Sequence, residues 1–319
     1  MADSQVTARQ TSVFSRLSAT FPALIEQYAV QKAPHALLLT GQVGVGKATL
    51  AVLLSQALLC ENADKPCGEC PGCHKARNRS HANLLVVKAA ENQRSVKVEQ
   101  ARALLSSLAT YPFSAGPRVV LLEQVDSFTP QAQNALLKAL EEPDSATFFL
   151  LTCENLRAVL TTIRSRCQTL YIPPWPDELV SLLLTEQGIP ADEAGQLSGF
   201  SAGSPGKAMQ IRNDQAFWSV KTLADDSILT LDHIRQLPAV SRKLREAKDK
   251  ADLLLDYVED AALRQIKKNA LQNLPGKQAQ SMLEGVLAAR RHQASNLSWQ
   301  AIVDCLLLKI LEDNTECPM

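Results

Sequence analysis

The 319-residue sequence lacks an excess of charge of either sign, because 33 lysines and arginines balance 33 aspartates and glutamates. Most of the non-specific affinity of a protein for DNA comes from neutralising phosphates. A chain with a formal net charge of +0 is therefore expected to be a poor DNA binder by itself. Any contact with nucleic acid would need a local basic patch or a charged partner protein.

Long apolar runs are also missing. The N-terminal stretch MADSQVTARQTSVFSRL has no apolar core of signal-peptide length, and no later stretch is long enough to span a bilayer. These absences predict a cytoplasmic protein that does not interact with membranes. Cytoplasmic thiols stay reduced, so the eight cysteines are not expected to form a disulfide framework.

The residues that are present, 46% of them hydrophobic, are enough for two or three packed domains. Between residue 33 and about residue 172, short apolar runs alternate with helical patterns. This alternation predicts the α/β class, with a parallel sheet covered by helices. The predicted strands are His35–Thr40, Asn83–Lys88, Arg118–Leu122 and Thr147–Thr152.

Domain boundaries follow from a proline-rich segment, Pro173–Pro176, beyond which the strand signal disappears. We predict an α/β domain over 1–173, a small helical domain over 174–210 and an all-helical domain over 211–319. The last helix carries an apolar stripe that is more typical of a core than of an oligomer face. The stripe comprises Trp299, Ile302, Val303, Leu306 and Ile310.

A glycine-rich segment, Gly41–Thr49 (GQVGVGKAT), lies between a predicted strand and a predicted helix. This is where a phosphate-binding P-loop places backbone N–H groups against an anion. Ala48 stands where a hydroxyl normally holds magnesium, and Thr49 comes one position late. The pattern predicts P-loop ancestry and leaves ATP binding open, against a simple glycine turn without a ligand. The candidate nucleotide-binding residues are Gly41, Gly44, Gly46, Lys47 and Thr49.

The second half of an ATPase site should follow the strand Arg118–Leu122, where adjacent Asp and Glu hold the metal and orient water. Here the chain reads Glu123-Gln124-Val125-Asp126. Glu123 could attract a metal, but Gln124 is neutral and cannot act as a general base. The two defects, Ala48 and Gln124, together predict that hydrolysis has been lost.

Four cysteines, Cys60, Cys67, Cys70 and Cys73, form a C-x6-C-x2-C-x2-C cluster with glycines and prolines between them. Four thiolates at such spacing suit a closed, tetrahedral, structural zinc site, and the alternative is a chance group of thiols. Further along, Thr161–Cys167 (TTIRSRC) places arginines at a helix end. From the residues alone, a solvated basic pair is the simpler interpretation of Arg164 and Arg166.

Taken in order, these motifs resemble the subunits of bacterial DNA polymerase clamp loaders, which have an AAA+ fold. The resemblance is carried by the P-loop, the inserted cysteine cluster at 60–73, the string Gln133–Pro143 (QNALLKALEEP) and Ser165-Arg166-Cys167. It covers residues from about 20 to 210. It implies that residues 174–210 are the family's lid and that 211–319 are its collar, the oligomerisation domain.

Within that family, the gamma and tau motors keep both ATPase motifs, whereas the delta-prime branch loses hydrolysis. Ala48, Gln124 and Gly206 place this chain with the delta-prime branch, although Gly46-Lys47 is retained. Gly206 stands where the motors carry an arginine that senses nucleotide. The resemblance implies a hetero-oligomeric ring with gamma or tau motors and the delta subunit.

The ring would open the sliding clamp and set it on primed DNA, as part of a polymerase (nucleotidyltransferase) holoenzyme. Within it, this chain would be a stator-like member without independent catalysis. Arg166 would be an arginine finger acting in trans at a neighbouring motor, a role worth about 10³–10⁵ in rate elsewhere.

Two alternatives stay open. One is an active clamp-loader ATPase, which Ala48 and Gln124 oppose. The other is a zinc-containing DNA-binding module, which needs a basic face around the cysteines. That segment has only a small basic surplus, with Lys65, Lys75, Arg77 and Arg79 set against Glu61, Asp64 and Glu69.

Overall fold

The computed structural model describes residues 11–90, 93–109, 116–143, 146–272, 277–295 and 297–312. It divides into two compact units, Met1–Met209 and Gln210–Met319. The first unit includes the segment expected to be a lid, and the further division of that unit remains a prediction. Cys317 lies outside the described residues.

The first unit is built on a five-stranded parallel sheet with the strand order β2-β3-β4-β1-β5. The predicted α/β fold class is confirmed, and so are the four predicted strands. Every residue of β1 and β4 is buried, which explains why their sequences are continuous apolar runs. The strands are β1 (Ala36–Thr40), β2 (Leu84–Val87), β3 (Arg118–Leu122), β4 (Thr147–Cys153) and β5 (Gln168–Tyr171).

The edge strand β5 was not predicted. It has only four residues, and none of them is fully buried. Its sequence, QTLY, therefore has no apolar run to mark it. It forms because its backbone pairs with β1, with Gln168 opposite Leu37 and Tyr171 opposite Thr40.

Helices flank the sheet and continue beyond it, and residues 11–17 are also helical. They are α1 (Thr20–Ala29), α2 (Lys47–Leu59), α3 (Pro71–Arg77), α4 (Val98–Leu108), α5 (Pro130–Glu141), α6 (Thr161–Arg164), α7 (Asp177–Glu186), α8 (Ala191–Phe200) and α9 (Pro205–Arg212). Short 3-10 turns occupy Val125–Ser127 and Leu156–Ala158.

Helix α5 matters for the site because it supports the segment that carries Arg166. It begins as its sequence predicts, with the Thr129 side chain accepting a hydrogen bond from the Ala132 N–H and proline at the first helical position. One turn on, the buried Gln133 amide donates to the Ala158 carbonyl at 3.1 Å and accepts from the Leu160 N–H at 2.8 Å. The amide thereby joins α5 to the residues just before α6.

The second unit consists of helices. They are α10 (Gln215–Asp225), α11 (Leu237–Arg245), α12 (Ala251–Gln272), α13 (Lys277–Ala294) and α14 (Trp299–Glu312), with 3-10 turns at Ile234–Gln236 and Lys248–Lys250. The apolar stripe of α14 is buried, as predicted for a core, and the Trp299 Nε1 donates to the Leu244 carbonyl at 3.0 Å. In the described part of the chain, no helix is both long and apolar enough to cross a membrane.

Candidate functional site

The glycine-rich loop occupies the place that a P-loop requires, between the carboxyl end of β1 and the start of α2. Gly44 and Gly46 have φ angles of 75° and 99°, a left-handed conformation that side chains disfavour. Gly46 is the residue before the first turn of α2. The loop therefore has the local geometry and the helix N-terminus of an anion site.

Lys47, however, is engaged within its own loop. Its Nζ donates to the Gly41 carbonyl at 2.8 Å and to the Gln42 carbonyl at 2.7 Å, and the residue is buried. Burial lowers the pKa of Lys47, and the negative charge of Glu154 opposes that effect. In this arrangement the ammonium group holds the loop together, so binding a phosphate would require it to leave both carbonyls.

The start of helix α9 docks directly on the loop. The Gly206 N–H donates to the Gly44 carbonyl at 2.9 Å, and the Ser204 Oγ donates to the Val43 carbonyl at 2.7 Å. A Cβ added at Gly206 would lie 2.8 Å from the Gly44 Cα. The arginine that the resemblance places at this position in motors therefore cannot be accommodated without moving the loop or the helix.

A cavity of about 280 Å³ remains beside the loop, with Thr49 in its wall. Its other walls include Phe14, Trp175 and Leu183. The two aromatic rings meet edge to face with centroids 5.8 Å apart, and the Trp175 Nε1 donates to the Val45 carbonyl at 3.0 Å. Ligand pockets usually measure roughly 300–1,000 Å³, so this space is small for a nucleotide.

The carboxylates after β3 have other partners. Glu123, the residue expected to attract a metal, forms an ion pair with Arg79. Asp126 accepts hydrogen bonds from the N–H groups of Glu154 at 3.0 Å and Asn155 at 2.9 Å, which ties the end of β3 to the end of β4. Glu123 is therefore not a free metal ligand, whereas Asp126 keeps one buried oxygen, Oδ1, without a hydrogen-bond partner in the described part of the chain.

The four cysteines predicted as metal ligands come together. Their Sγ atoms all lie within 4.8 Å of one another, and the separations of Cys60 from Cys67, Cys60 from Cys70 and Cys67 from Cys73 are 3.5, 3.8 and 3.9 Å. In a tetrahedral site the distance between two sulfur ligands is about 1.63 times the metal–sulfur bond length. With metal–sulfur bonds of about 2.3 Å, the sulfur atoms should therefore lie about 3.8 Å apart. The cluster therefore fits one tetrahedral metal ion.

The local backbone favours a thiolate at Cys67. Burial raises the pKa of the Cys67 thiol, but hydrogen bonds from the Glu69 and Cys70 N–H groups outweigh it and bring the pKa down to about 7. Burial raises the pKa of Cys73, so a thiolate there needs a cation beside it. Gly72 leaves the room that the turn requires, because an added Cβ would lie 2.3 Å from the Leu59 carbonyl oxygen.

The basic residues near the cluster do not form an open basic face. The Arg79 guanidinium pairs with Glu123, and the Arg77 Nη2 donates to the Gly68 carbonyl at 3.4 Å. Two of the four cations that a DNA-binding module would use are thus directed at the protein itself.

Arg166 lies at the opposite edge of the sheet from the P-loop. It precedes β5, whose first residue pairs near the amino end of β1, whereas the loop follows the carboxyl end of β1. With a rise of about 3.3 Å per residue over the four steps of β1, the amino and carboxyl ends of the strand are about 13 Å apart. Ile163 and Cys167 are buried on either side of Arg166, so they anchor the segment that presents it.

The structure therefore brings the four cysteines together, places the five nucleotide-site residues in one loop and the first turn of α2, and puts Arg166 at the opposite ends of the strands from that loop. Sequence reasoning missed the residues that close the loop, namely Phe14 and Trp175, and the pair of Arg79 with Glu123. These contacts join positions distant in sequence, and no local pattern signals them.

Comparisons with known proteins identify the family of the chain. The profile of a family described as "DNA polymerase III, delta subunit" matches residues 17–176. The chain is 31% identical to a DNA polymerase III subunit delta' of Yersinia pestis over 75% of this chain and 67% of the relative. It is 28% identical to the subunit delta' of Bacillus subtilis over 87% of this chain and 91% of the relative. It is also 31% identical to a subunit tau of Escherichia coli over 78% of this chain and 40% of tau.

The contact between Gly206 and Gly44 leads to a stability prediction. Gly206→Ala should destabilise the protein by about 1–3 kcal/mol, the usual cost of overpacking, because the new Cβ meets backbone rather than a flexible side chain. Gly195→Ala is the matched control. It lies within α8 with no atom within 4 Å of an added Cβ, so it should stabilise by up to about 1 kcal/mol. Urea unfolding measures both, and equal stability of the two variants would contradict the close docking.

Proposed function

This chain belongs to the DNA polymerase III delta-prime family, and from that premise we propose that it is a stator-like clamp-loader subunit. It helps to load the sliding clamp onto primed DNA and does not hydrolyse ATP itself. Its chemical contribution is Arg166, an arginine finger that enters the ATP site of a neighbouring motor subunit. The placement of Arg166 on the edge of the sheet opposite the P-loop carries this proposal.

The absence of hydrolysis is supported by what each ATPase position does here. Ala48 offers no hydroxyl to magnesium, and Gln124 offers no carboxylate to the attacking water. Lys47 is bonded to its own loop. The loop residues Gly41, Gly44, Gly46, Lys47 and Thr49 therefore make at most a weak nucleotide site.

Action in trans is supported by the sheet. A guanidinium at the amino edge faces away from the loop at the carboxyl edge of the same domain, so its natural target is another molecule. Arginine suits that task because it is always charged and gives parallel hydrogen bonds to phosphate oxygens. The partners we propose are gamma or tau motors and the delta subunit in a hetero-oligomeric ring, within the polymerase holoenzyme.

We assign zinc to the cysteine cluster. Four thiolates at tetrahedral separations leave no open coordination position, so Cys60, Cys67, Cys70 and Cys73 would hold the ion for structure rather than for catalysis. The cytoplasmic location expected from the sequence agrees with reduced thiols and remains a prediction.

The zinc assignment is tested by composition. The purified protein should contain about one equivalent of zinc by elemental analysis, and Cys70→Ser should abolish it because three thiolates leave the site open. Cys305→Ser is the matched control, since Cys305 is an exposed cysteine of the second unit, and it should keep the metal. A native preparation without zinc, in which all four thiols react rapidly, would disprove the assignment.

The isolated chain should show no magnesium-dependent ATP hydrolysis above background. The reason is the missing hydroxyl and carboxylate, not misfolding, so zinc content should be normal in the same sample. The measurement is phosphate release with and without DNA. Steady turnover that Lys47→Ala removes would instead establish the active-motor alternative.

Arg166→Ala should leave folding, zinc content and ring assembly intact while lowering the DNA-stimulated ATPase of the reconstituted complex. At the one ATP site that Arg166 enters, the rate of hydrolysis should fall about 10³-fold or more. The ATPase rate of the whole complex should then fall by the fraction that this site contributes. Arg166→Lys should recover only part of the activity, because lysine supplies the charge without the planar fork.

Arg164→Ala is the matched control for the finger. Arg164 is exposed two residues away, at the end of α6, and its loss should have a smaller effect on ATPase and clamp loading. If the Arg166→Ala complex assembles and hydrolyses ATP at the wild-type rate, the trans-acting role is wrong. The chain would then be a purely architectural member of the ring.

A further inference from the structure

We propose that Glu141 is a positioning residue for Arg166, holding its guanidinium folded against the protein until phosphate displaces the carboxylate. This inference rests on the finger role proposed above. The observation behind it is an ion pair between the Arg166 Nη2 and the Glu141 Oε1. A second donor of the same guanidinium, Nη1, bonds the Thr162 carbonyl at 2.8 Å.

The Arg166 guanidinium is bound by other groups, but not all of its N–H donors have hydrogen-bond partners. Its Nε is buried without a hydrogen-bond partner in the described part of the structure. Exposed fractions of 32% for Arg166 and 44% for Glu141 keep the pair within reach of solvent. A bidentate arginine–carboxylate pair would use two parallel N–H groups directed at one carboxylate. Here Nη2 meets one carboxylate oxygen, while Nη1 donates to the Thr162 carbonyl and, at 3.4 Å, to the Ser165 Oγ. Such an arrangement can exchange one acceptor for another.

The backbone segments that carry Glu141 and Arg166 are held together by other contacts, so the ion pair is not a chance meeting of two mobile surface side chains. Glu141 is the last residue of α5, and Arg166 follows α6 by two residues. Near the other end of α5, the buried Gln133 amide bonds Ala158 and Leu160, just ahead of α6. Helix α5 is thus joined to the Arg166 segment at two places, which fixes where the carboxylate meets the guanidinium.

The energetics favour release in the presence of nucleotide. An exposed ion pair typically changes an equilibrium by no more than about two- to five-fold, whereas a terminal phosphate offers the guanidinium more negative charge and a better-matched fork of oxygens. Glu141 therefore competes with the neighbour's phosphate for Arg166. The competition should weaken ATP binding at that site without changing the rate once the finger is engaged.

The neighbouring residue provides a matched control. Glu142 is also exposed and has the same charge, but it has no ion pair with an arginine in the residues that the structure describes. Glu141→Gln and Glu142→Gln change net charge equally, so any difference between them reports the contact with Arg166 rather than the general electrostatic field.

The first experiment tests the contact in the isolated protein and does not depend on the finger role. Nitrogen-15 NMR of arginine side chains should show the Arg166 guanidinium protons exchanging slowly with water in the wild type and rapidly in Glu141→Gln. Glu142→Gln should match the wild type. Fast exchange in all three proteins would overturn the inference.

The second experiment uses the reconstituted loader complex with primed DNA. At the ATP site that Arg166 enters, Glu141→Gln should lower the apparent KM for ATP by about two- to five-fold with little change in kcat, and Glu142→Gln should behave as the wild type. In an Arg166→Ala background, Glu141→Gln should have no further effect. A loss of kcat, or an effect that persists without Arg166, would show that Glu141 acts in another way.

The two proposals fail differently. If Arg166→Ala itself leaves the ATPase unchanged, the finger role falls, and the positioning role falls with it even when NMR shows the contact. If Arg166→Ala lowers the ATPase but Glu141→Gln matches Glu142→Gln, the finger role stands and only the role of Glu141 is wrong.

Discussion

The parallel direction of the five strands is the constraint on which the other features depend. All carboxyl ends of the strands lie at one edge of the sheet and all amino ends at the other. The glycine-rich loop follows β1 and must lie at the carboxyl edge, while Arg166 precedes β5 and must lie at the amino edge. The loop and Arg166 therefore lie at opposite ends of the strands, and the sheet between them keeps them from contacting the same phosphate group.

At the carboxyl edge, the P-loop pattern is explained by packing as well as by ancestry. Gly44 has a left-handed backbone and lies against Gly206 of α9, so neither position has room for a side chain. Lys47 closes the loop on the Gly41 and Gln42 carbonyls. A loop that supports a docked helix uses the same glycines and the same lysine as a loop that binds phosphate, so the motif has a structural role here with or without a bound nucleotide.

Local signals made the sheet, the start of α5 and the cysteine cluster predictable from the sequence. Buried strands are apolar runs, Thr129 and Pro130 mark a helix start, and closely spaced cysteines come together because few residues separate them. The edge strand β5 has no such signal, since its pairing with β1 and not its composition makes it a strand. The contact of Trp175 with the loop and the pair of Arg79 with Glu123 join residues 130 and 44 positions apart in the sequence, which no local pattern encodes.

The inserted cysteine module is physically connected to the segment that follows β3. The module packs against α2, where the Gln56 Nε2 donates to the Cys73 carbonyl at 3.1 Å. Just beyond α3, Arg79 reaches Glu123 at the end of β3. The carboxylate that a motor would direct at a metal is here a tether for the module. A metal ion closing the cysteines would stabilise the module that carries this tether. Arg166 lies at the opposite ends of the strands, where its guanidinium contacts Glu141.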